Sequence, residues 1–162
     1  MNFEEFIKIR KHTEYLCGNL ETEDFVIQAA EEVSPVKWHL AHTTWFFETF
    51  LLKEHLNTYK EFHPKFSYLF NSYYNAVGLR TQRFQRGLMT RPTVKEVMAY
   101  RQHVNQEMEL LLSKRVNEEI LKLLELGLNH EQQHQELLIT DLKMPDIDGL
   151  ELLKFVSEHY PN

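Results

Sequence analysis

The sequence has little to punctuate it. Five glycines and five prolines in 162 residues are too few for a protein of many turns, and their scarcity predicts long helices rather than a β sandwich or barrel. A single cysteine, Cys17, excludes an internal disulfide framework and fits a reducing compartment. No apolar stretch approaches the roughly 20 residues needed to cross a bilayer. The opening MNFEEFIKIRKH carries acids early and lacks the apolar run of a signal peptide. The expected location is the cytoplasm, with no membrane contact. Basic charge is also short: 18 Lys and Arg against 24 Asp and Glu leave a net charge of -6, which disfavours nucleic acid as a partner.

What is present is helical periodicity. Apolar residues recur at Phe3, Phe6, Ile7, Leu16 and Leu20, a stripe expected of a helix over about 3–20. Ser34-Pro35 opens a second helix to about Leu56, with serine as the cap and proline in the first turn. From Thr58 to Met89 periodicity fades into a long aromatic and basic middle loop, expected to be functional or partly structured. Thr93 to Glu96 matches a capping box and starts a third helix to about Lys114. Asn117 is placed to cap a fourth, from Glu118 to about Leu142. Four long helices with one stripe each predict an all-α four-helix bundle.

The end of the chain, ITDLKMPDIDGLELLKFVSEHYPN, resembles a fragment of a response-regulator receiver domain, with Asp141 at the phosphorylated position. The preceding residues have a period near 3.6 rather than 2, so a helix and not a strand is expected to lead into Asp141. The expected division is a bundle over residues 1–143 and a tail over 144–162. The tail should turn at Pro145 and form a short helix from about Gly149 to His159. Asp141 is not expected to accept a phosphoryl group.

Nine histidines are present, and three of them form a pattern. His130 and His134 are four residues apart, on one helix face. Their stripe continues through Ile120, Leu123, Gly127 and Leu137 toward the core. Two buried histidines need either a metal or a hydrogen-bonded pairing. A metal would take a third ligand from another helix, and His42 lies on a stripe with Trp38, Trp45, Phe46 and Thr49, one turn after His39. A three-histidine set with open positions suits Zn, Fe or Ni. Glu131 and Gln133 flank the histidine stripe on opposite sides, where either can reach a metal-bound water or substrate. The same letters, His130-Glu131-x-x-His134, spell the HExxH pattern of zinc proteases, with Glu131 as general base and Glu151 or Glu158 as third ligand. Such enzymes hold peptides along a sheet edge, and no sheet is expected here.

Four strings fix a resemblance: SPVKWHLAHTTWFFETFLL (34–52), FNSYYNAVG (70–78), RGLMTRPTVKEVMAYRQHV (86–104) and LELGLNHEQQHQELLITDLK (124–143). Together they resemble a DinB-like domain, and more narrowly the N-terminal domain of the iron(II)-dependent sulfoxide synthases of ergothioneine biosynthesis. The resemblance implies metal ligation by His42, His130 and His134, with His39 supporting the ligands from behind; Glu131, beside the histidine stripe, is expected in a supporting place as well. It implies Fe(II), with Zn or Ni as metals found on purification. It places Gln133 near a trimethylhistidine substrate and Arg83 and Arg86, with Arg80 close behind, against the carboxylates of a thiol substrate. Oxygen-dependent C–S bond formation is the implied oxidoreductase chemistry, and pairing into a homodimer is compatible with it. A full synthase continues into a second domain similar to formylglycine-generating enzymes. The expectation for this sequence is therefore a metal-binding domain that does not complete sulfoxide synthesis alone. A standalone DinB-like metal-dependent enzyme of another reaction, and a non-catalytic helical interaction module, are the alternatives.

Overall fold

The computed structural model describes residues 2–72, 81–114 and 116–141. Helix α1 spans Phe3–Leu16 and is capped by Asn2, whose Oδ1 accepts from the Glu5 N–H at 3.0 Å while the Asn2 N–H donates to Glu5 Oε2 at 2.9 Å. Such a reciprocal pair satisfies two of the donors that a helix start leaves open. The helix ends at Leu16, a turn earlier than its apolar stripe suggested, and Cys17 closes it.

Helix α2, Val36–Phe47, runs directly into a π-helical turn, Glu48–Leu52, and a last turn, α3, Lys53–His55. All of α2 is buried, as expected of a helix apolar on every side. The expected serine cap is not formed: Pro35 occupies the N-cap position, and the Ser34 hydroxyl instead accepts from Arg86. Glu48, the first residue of the π turn, is buried in the core. There its carboxylate accepts from the Tyr59 and Tyr100 hydroxyls, both at 2.5 Å, and from the Phe62 N–H at 3.2 Å.

The middle segment is not plain loop. It contains a short helix α4, Phe66–Phe70, and a 3-10 helix, Arg83–Leu88. Helix α5, Val94–Leu112, begins with the expected capping box: the Glu96 N–H donates to Thr93 Oγ1 and the Thr93 N–H to Glu96 Oε2. Helix α6, Glu118–Asp141, has Asn117 Oδ1 accepting from the Ile120 N–H at 2.9 Å. Helix α1 packs on α5 and α6, and α2 packs on α4, α5 and α6. The result is an all-helical bundle around Phe6, Trp38, Trp45, Phe46, Phe47, Leu51, Leu52, Phe70 and Tyr100. Among the described residues there is no strand, and no helix is long and apolar enough to cross a membrane. The chain remains helical through Asp141. The expected turn at Pro145 and helix at 149–159 lie outside the described residues.

Candidate metal centre

Helices α2 and α6 bring His42, His130 and His134 together. One ligand atom from each lies within 4.8 Å of the others. Their ring centroids form a near-equilateral triangle, 4.9, 4.9 and 4.7 Å on a side. Ligand nitrogens about 2.0–2.1 Å from a common ion stand roughly 3 Å apart, so small side-chain rotations close the set.

The surroundings orient each ring. His42 Nδ1 is 2.6 Å from the Phe70 carbonyl oxygen, which can only accept. Nδ1 therefore carries the proton, and Nε2 keeps the lone pair a metal requires. The ring is sandwiched between the indoles of Trp38, at 4.5 Å and 16°, and Trp45, at 5.5 Å and 14°. Trp38 is itself fixed by donating to the Leu69 carbonyl at 3.2 Å. The C-terminal end of α4 thus holds both residues through backbone oxygens. His134 Nδ1 meets His39 Nδ1 at 2.6 Å; with the His134 Nδ1–H donating to His39, His134 Nε2 keeps the lone pair that an ion requires. His130 Nδ1 is buried with no hydrogen-bond partner among the described residues. An orphaned nitrogen of this kind costs about 1–3 kcal/mol, and an ion held there would supply a partner.

Electrostatics favour the same use. Burial first, and then the neighbouring histidines, push His42 well below the ordinary imidazole range, and burial lowers His130 to about 4. Burial and then His42 also lower His134, and the Arg86 guanidinium adds to the effect. All three are neutral imidazoles at neutral pH, the form that binds metals. These histidines bring no negative charge, so a bound divalent ion would keep its full charge and have coordination positions to spare. The donor set fits a transition metal rather than Mg or Ca.

The histidines line a cavity of about 390 Å³ together with Trp38, His39, Gln133, Arg83 and Arg86. Arg86 is buried, with its guanidinium 3.4 Å from the Trp38 ring centroid. Its two terminal nitrogens donate to Ser34 Oγ at 2.8 Å and Ser72 Oγ at 3.0 Å. Arg83 is exposed and donates to the Glu32 carbonyl at 3.0 Å. Gln133 sits at the exposed rim. Of the residues singled out in the sequence, the cavity gathers His39, His42, His130, His134, Gln133, Arg83 and Arg86. Arg80, Glu151 and Glu158 lie outside the described residues.

Glu131 is placed elsewhere. It is fully buried on the side of α6 facing α1 and α5, and its carboxylate accepts from Arg10 at 2.7 Å, Thr13 at 2.7 Å and Arg101 at 3.0 Å. Burial alone would raise its pKa, but Arg10 and Arg101 override this and hold it at about 2. With both oxygens engaged away from the cavity, it touches neither the histidines nor a water they could hold, and it cannot serve as a protease general base. The apolar stripe of α6 is correspondingly turned from the one expected. Leu124, Leu128, Glu131, Gln135 and Leu138 are buried, whereas Leu137 is 43% exposed. The histidines form the edge of this stripe that faces the cavity.

Sequence reasoning missed the partners that fix the site: the Phe70 carbonyl, the Trp38–Arg86 stack, and the buried Arg10 and Arg101. The last two had a readable signal, since Arg10 falls on the Phe3, Phe6, Thr13 stripe and Arg101 on the Val97, Val104, Met108 stripe. The sequence model of the DinB superfamily matches residues 5–138, a span that includes all three histidines and both arginines. No curated protein matches the chain.

Proposed function

The chain belongs to the DinB superfamily, and from that membership we propose that it holds one divalent transition-metal ion on His42, His130 and His134 and acts on a small molecule in the adjoining cavity. The observation that carries this reading is the convergence of three neutral imidazoles, His42 and His134 buried and His130 half-buried, beside a cavity with a buried arginine in its wall. An interaction module has no need to bury histidines whose nitrogens face one another.

The finer reading rests on the sequence strings around these residues, which resemble those of the iron(II)-dependent sulfoxide synthases. On it the ion is Fe(II) and the substrates are a trimethylated histidine and a thiol carrying carboxylates. Iron would supply the redox chemistry that couples dioxygen to C–S bond formation. The residues of the cavity bind and orient the substrates. The Arg86 guanidinium, held flat on Trp38 by two serine hydroxyls, offers a fixed positive charge to a carboxylate. Arg83 at the exposed mouth adds a second, and Gln133 offers an amide to the other substrate. The Trp38 and Trp45 rings shield the two faces of the His42 ring from water. A reducing cytoplasm suits both Fe(II) and the single thiol of Cys17.

The direct test is metal analysis of protein purified without chelator or nickel affinity. One ion per chain is expected, and none in the His42→Ala or His134→Ala variants. Wild-type protein that takes up neither Fe(II) nor Zn(II) would refute the metal reading. Calorimetry of the iron-loaded protein with trimethylhistidine tests the finer one, and absence of heat at millimolar ligand would count against it.

A further inference from the structure

The glutamate of the HExxH string is fully buried among charges that the metal reading does not use. Arg10 Nη1 donates to Glu131 Oε2 and Arg10 Nη2 to Thr44 Oγ1 at 2.9 Å, while Arg10 Nε reaches Asn105 Oδ1 at 2.9 Å. Arg101 donates to Glu131 Oε1, to the Leu40 carbonyl at 3.1 Å and to the Arg10 carbonyl at 3.2 Å. Gln135 donates to Thr13 Oγ1 at 2.9 Å and to the Ile9 carbonyl at 3.0 Å. One network therefore ties α1, α2, α5 and α6.

Its placement follows the ligands along the chain. Thr43 and Thr44 follow His42, Glu131 follows His130, and Gln135 follows His134. Each of the three ligand histidines thus has, as its next residue, a polar side chain that joins this network. We infer that Glu131 is a positioning residue for the metal centre, which fixes the rotation of α6 through Arg10 and Arg101 so that His130 and His134 meet His42.

The required precision explains why apolar packing is not sufficient. A helix with its side chains has a radius of about 5–6 Å, so turning α6 by roughly 20° would move an imidazole tip by about 2 Å. Metal–ligand distances tolerate about ±0.2 Å, a rotation of only a few degrees. Apolar contacts are non-directional and permit such drift. Charge-assisted hydrogen bonds at 2.7–3.0 Å from two arginines, one on α1 and one on α5, constrain direction as well as distance. Removal of Glu131 would leave two neighbouring guanidiniums, with Glu14, 36% exposed, as the remaining carboxylate near Arg101.

This inference rests on the metal reading, and one experiment separates the two. Co²⁺ is titrated into wild type, Glu131→Gln, Thr13→Val and Met108→Ala, and its visible absorption gives both affinity and ligand geometry. Glu131→Gln should weaken Co²⁺ binding about 10- to 100-fold, the range for residues that orient ligands, and should change the band shape. Thr13→Val, which removes one donor to the same carboxylate, should shift affinity in the same direction by less. Met108→Ala opens the core on α5 and should lower the melting temperature with no change in affinity. A folded Glu131→Gln that binds Co²⁺ as wild type does would overturn the inference. If that variant fails to fold, unchanged Co²⁺ affinity in Thr13→Val overturns it instead. Wild type that binds no Co²⁺ removes the metal reading and this inference with it.

Discussion

Gly127 lies on α6 one turn before His130, and replacing it with alanine sets two known effects against each other. In an exposed helix interior, Gly→Ala gains about 1 kcal/mol from backbone entropy and propensity. Here a Cβ would come 2.5 Å from Phe47 Cε1, 2.9 Å from Phe46 Cε1 and 3.0 Å from Phe47 Cζ. Neither ring is free to swing. Phe47 is fully buried with its ring edge-on to Phe6 at 5.0 Å, and Phe46 packs against Phe50 at 4.8 Å and His130 at 5.1 Å. Overpacking a core of this kind costs about 1–3 kcal/mol, so the clash should outweigh the propensity gain and leave a net loss of about 1 kcal/mol. For a chain of this length that is a fall of about 2–4 °C in melting temperature. The only relief is for α6 to move away from α2. Because Phe46 touches His130, that movement spreads the histidines, and Co²⁺ affinity should fall with stability. Thermal melts by circular dichroism and a Co²⁺ titration measure both. An alanine variant that melts at or above the wild-type temperature would show that the α2–α6 approach has slack, and that the helix contact does not set the spacing of the ligands.

Three further outcomes follow from the same geometry. His39→Ala removes the partner of His134 Nδ1 and should weaken metal binding about 10- to 100-fold; unchanged affinity by competition with a chromophoric chelator would show that His39 does not orient the ring. Burial, and then the Glu48 carboxylate, raise the Tyr59 and Tyr100 hydroxyls above the ordinary phenol range. The unfolded chain thus loses these protons first, so their stabilisation is complete below about pH 10 and declines above it. In an alkaline titration, absorbance near 295 nm from two of the seven tyrosines should appear only together with loss of helical ellipticity; full tyrosine ionisation before unfolding would contradict this. Thr93→Ala removes the acceptor for the Glu96 N–H and should cost about 1 kcal/mol in urea denaturation, with metal affinity unchanged; a shift in affinity would mean that the start of α5 is coupled to the site.

The helices were legible because their signals are local. Thr93 and Glu96, three residues apart, and Asn117 before Glu118 mark helix starts by chemistry confined to one turn, and both are found as read. The facing of His130 and His134 follows from i, i+4 spacing alone. What the letters could not separate was Glu131 from Gln133. Each is about 100° from a histidine on a helical wheel, and which side meets the cavity depends on where α1 and α5 lie. Arg83 and Arg86 pose the same difficulty in a segment without periodicity: one is exposed, the other is buried against Trp38. The Phe70 carbonyl that sets the His42 tautomer has no letter at all, since every residue carries one. Serine at a helix start usually caps it, but at Ser34 a buried guanidinium offers a charged donor, and a charge-assisted bond is stronger than one to a backbone amide.

One tertiary feature was nonetheless written in the pattern. Arg10 interrupts an apolar stripe on α1, Arg101 one on α5, and Glu131 one on α6. A charge in a core-facing position is costly unless an opposite charge meets it. Three helices each carrying such a charge, of both signs, therefore require those stripes to converge on one another. That requirement fixes which face of α6 turns inward. With Glu131 committed to the arginines, His130 and His134 are left at the border of the core, beside α2. The glutamate that makes the sequence look like a protease is thus the residue whose burial directs the histidines to His42.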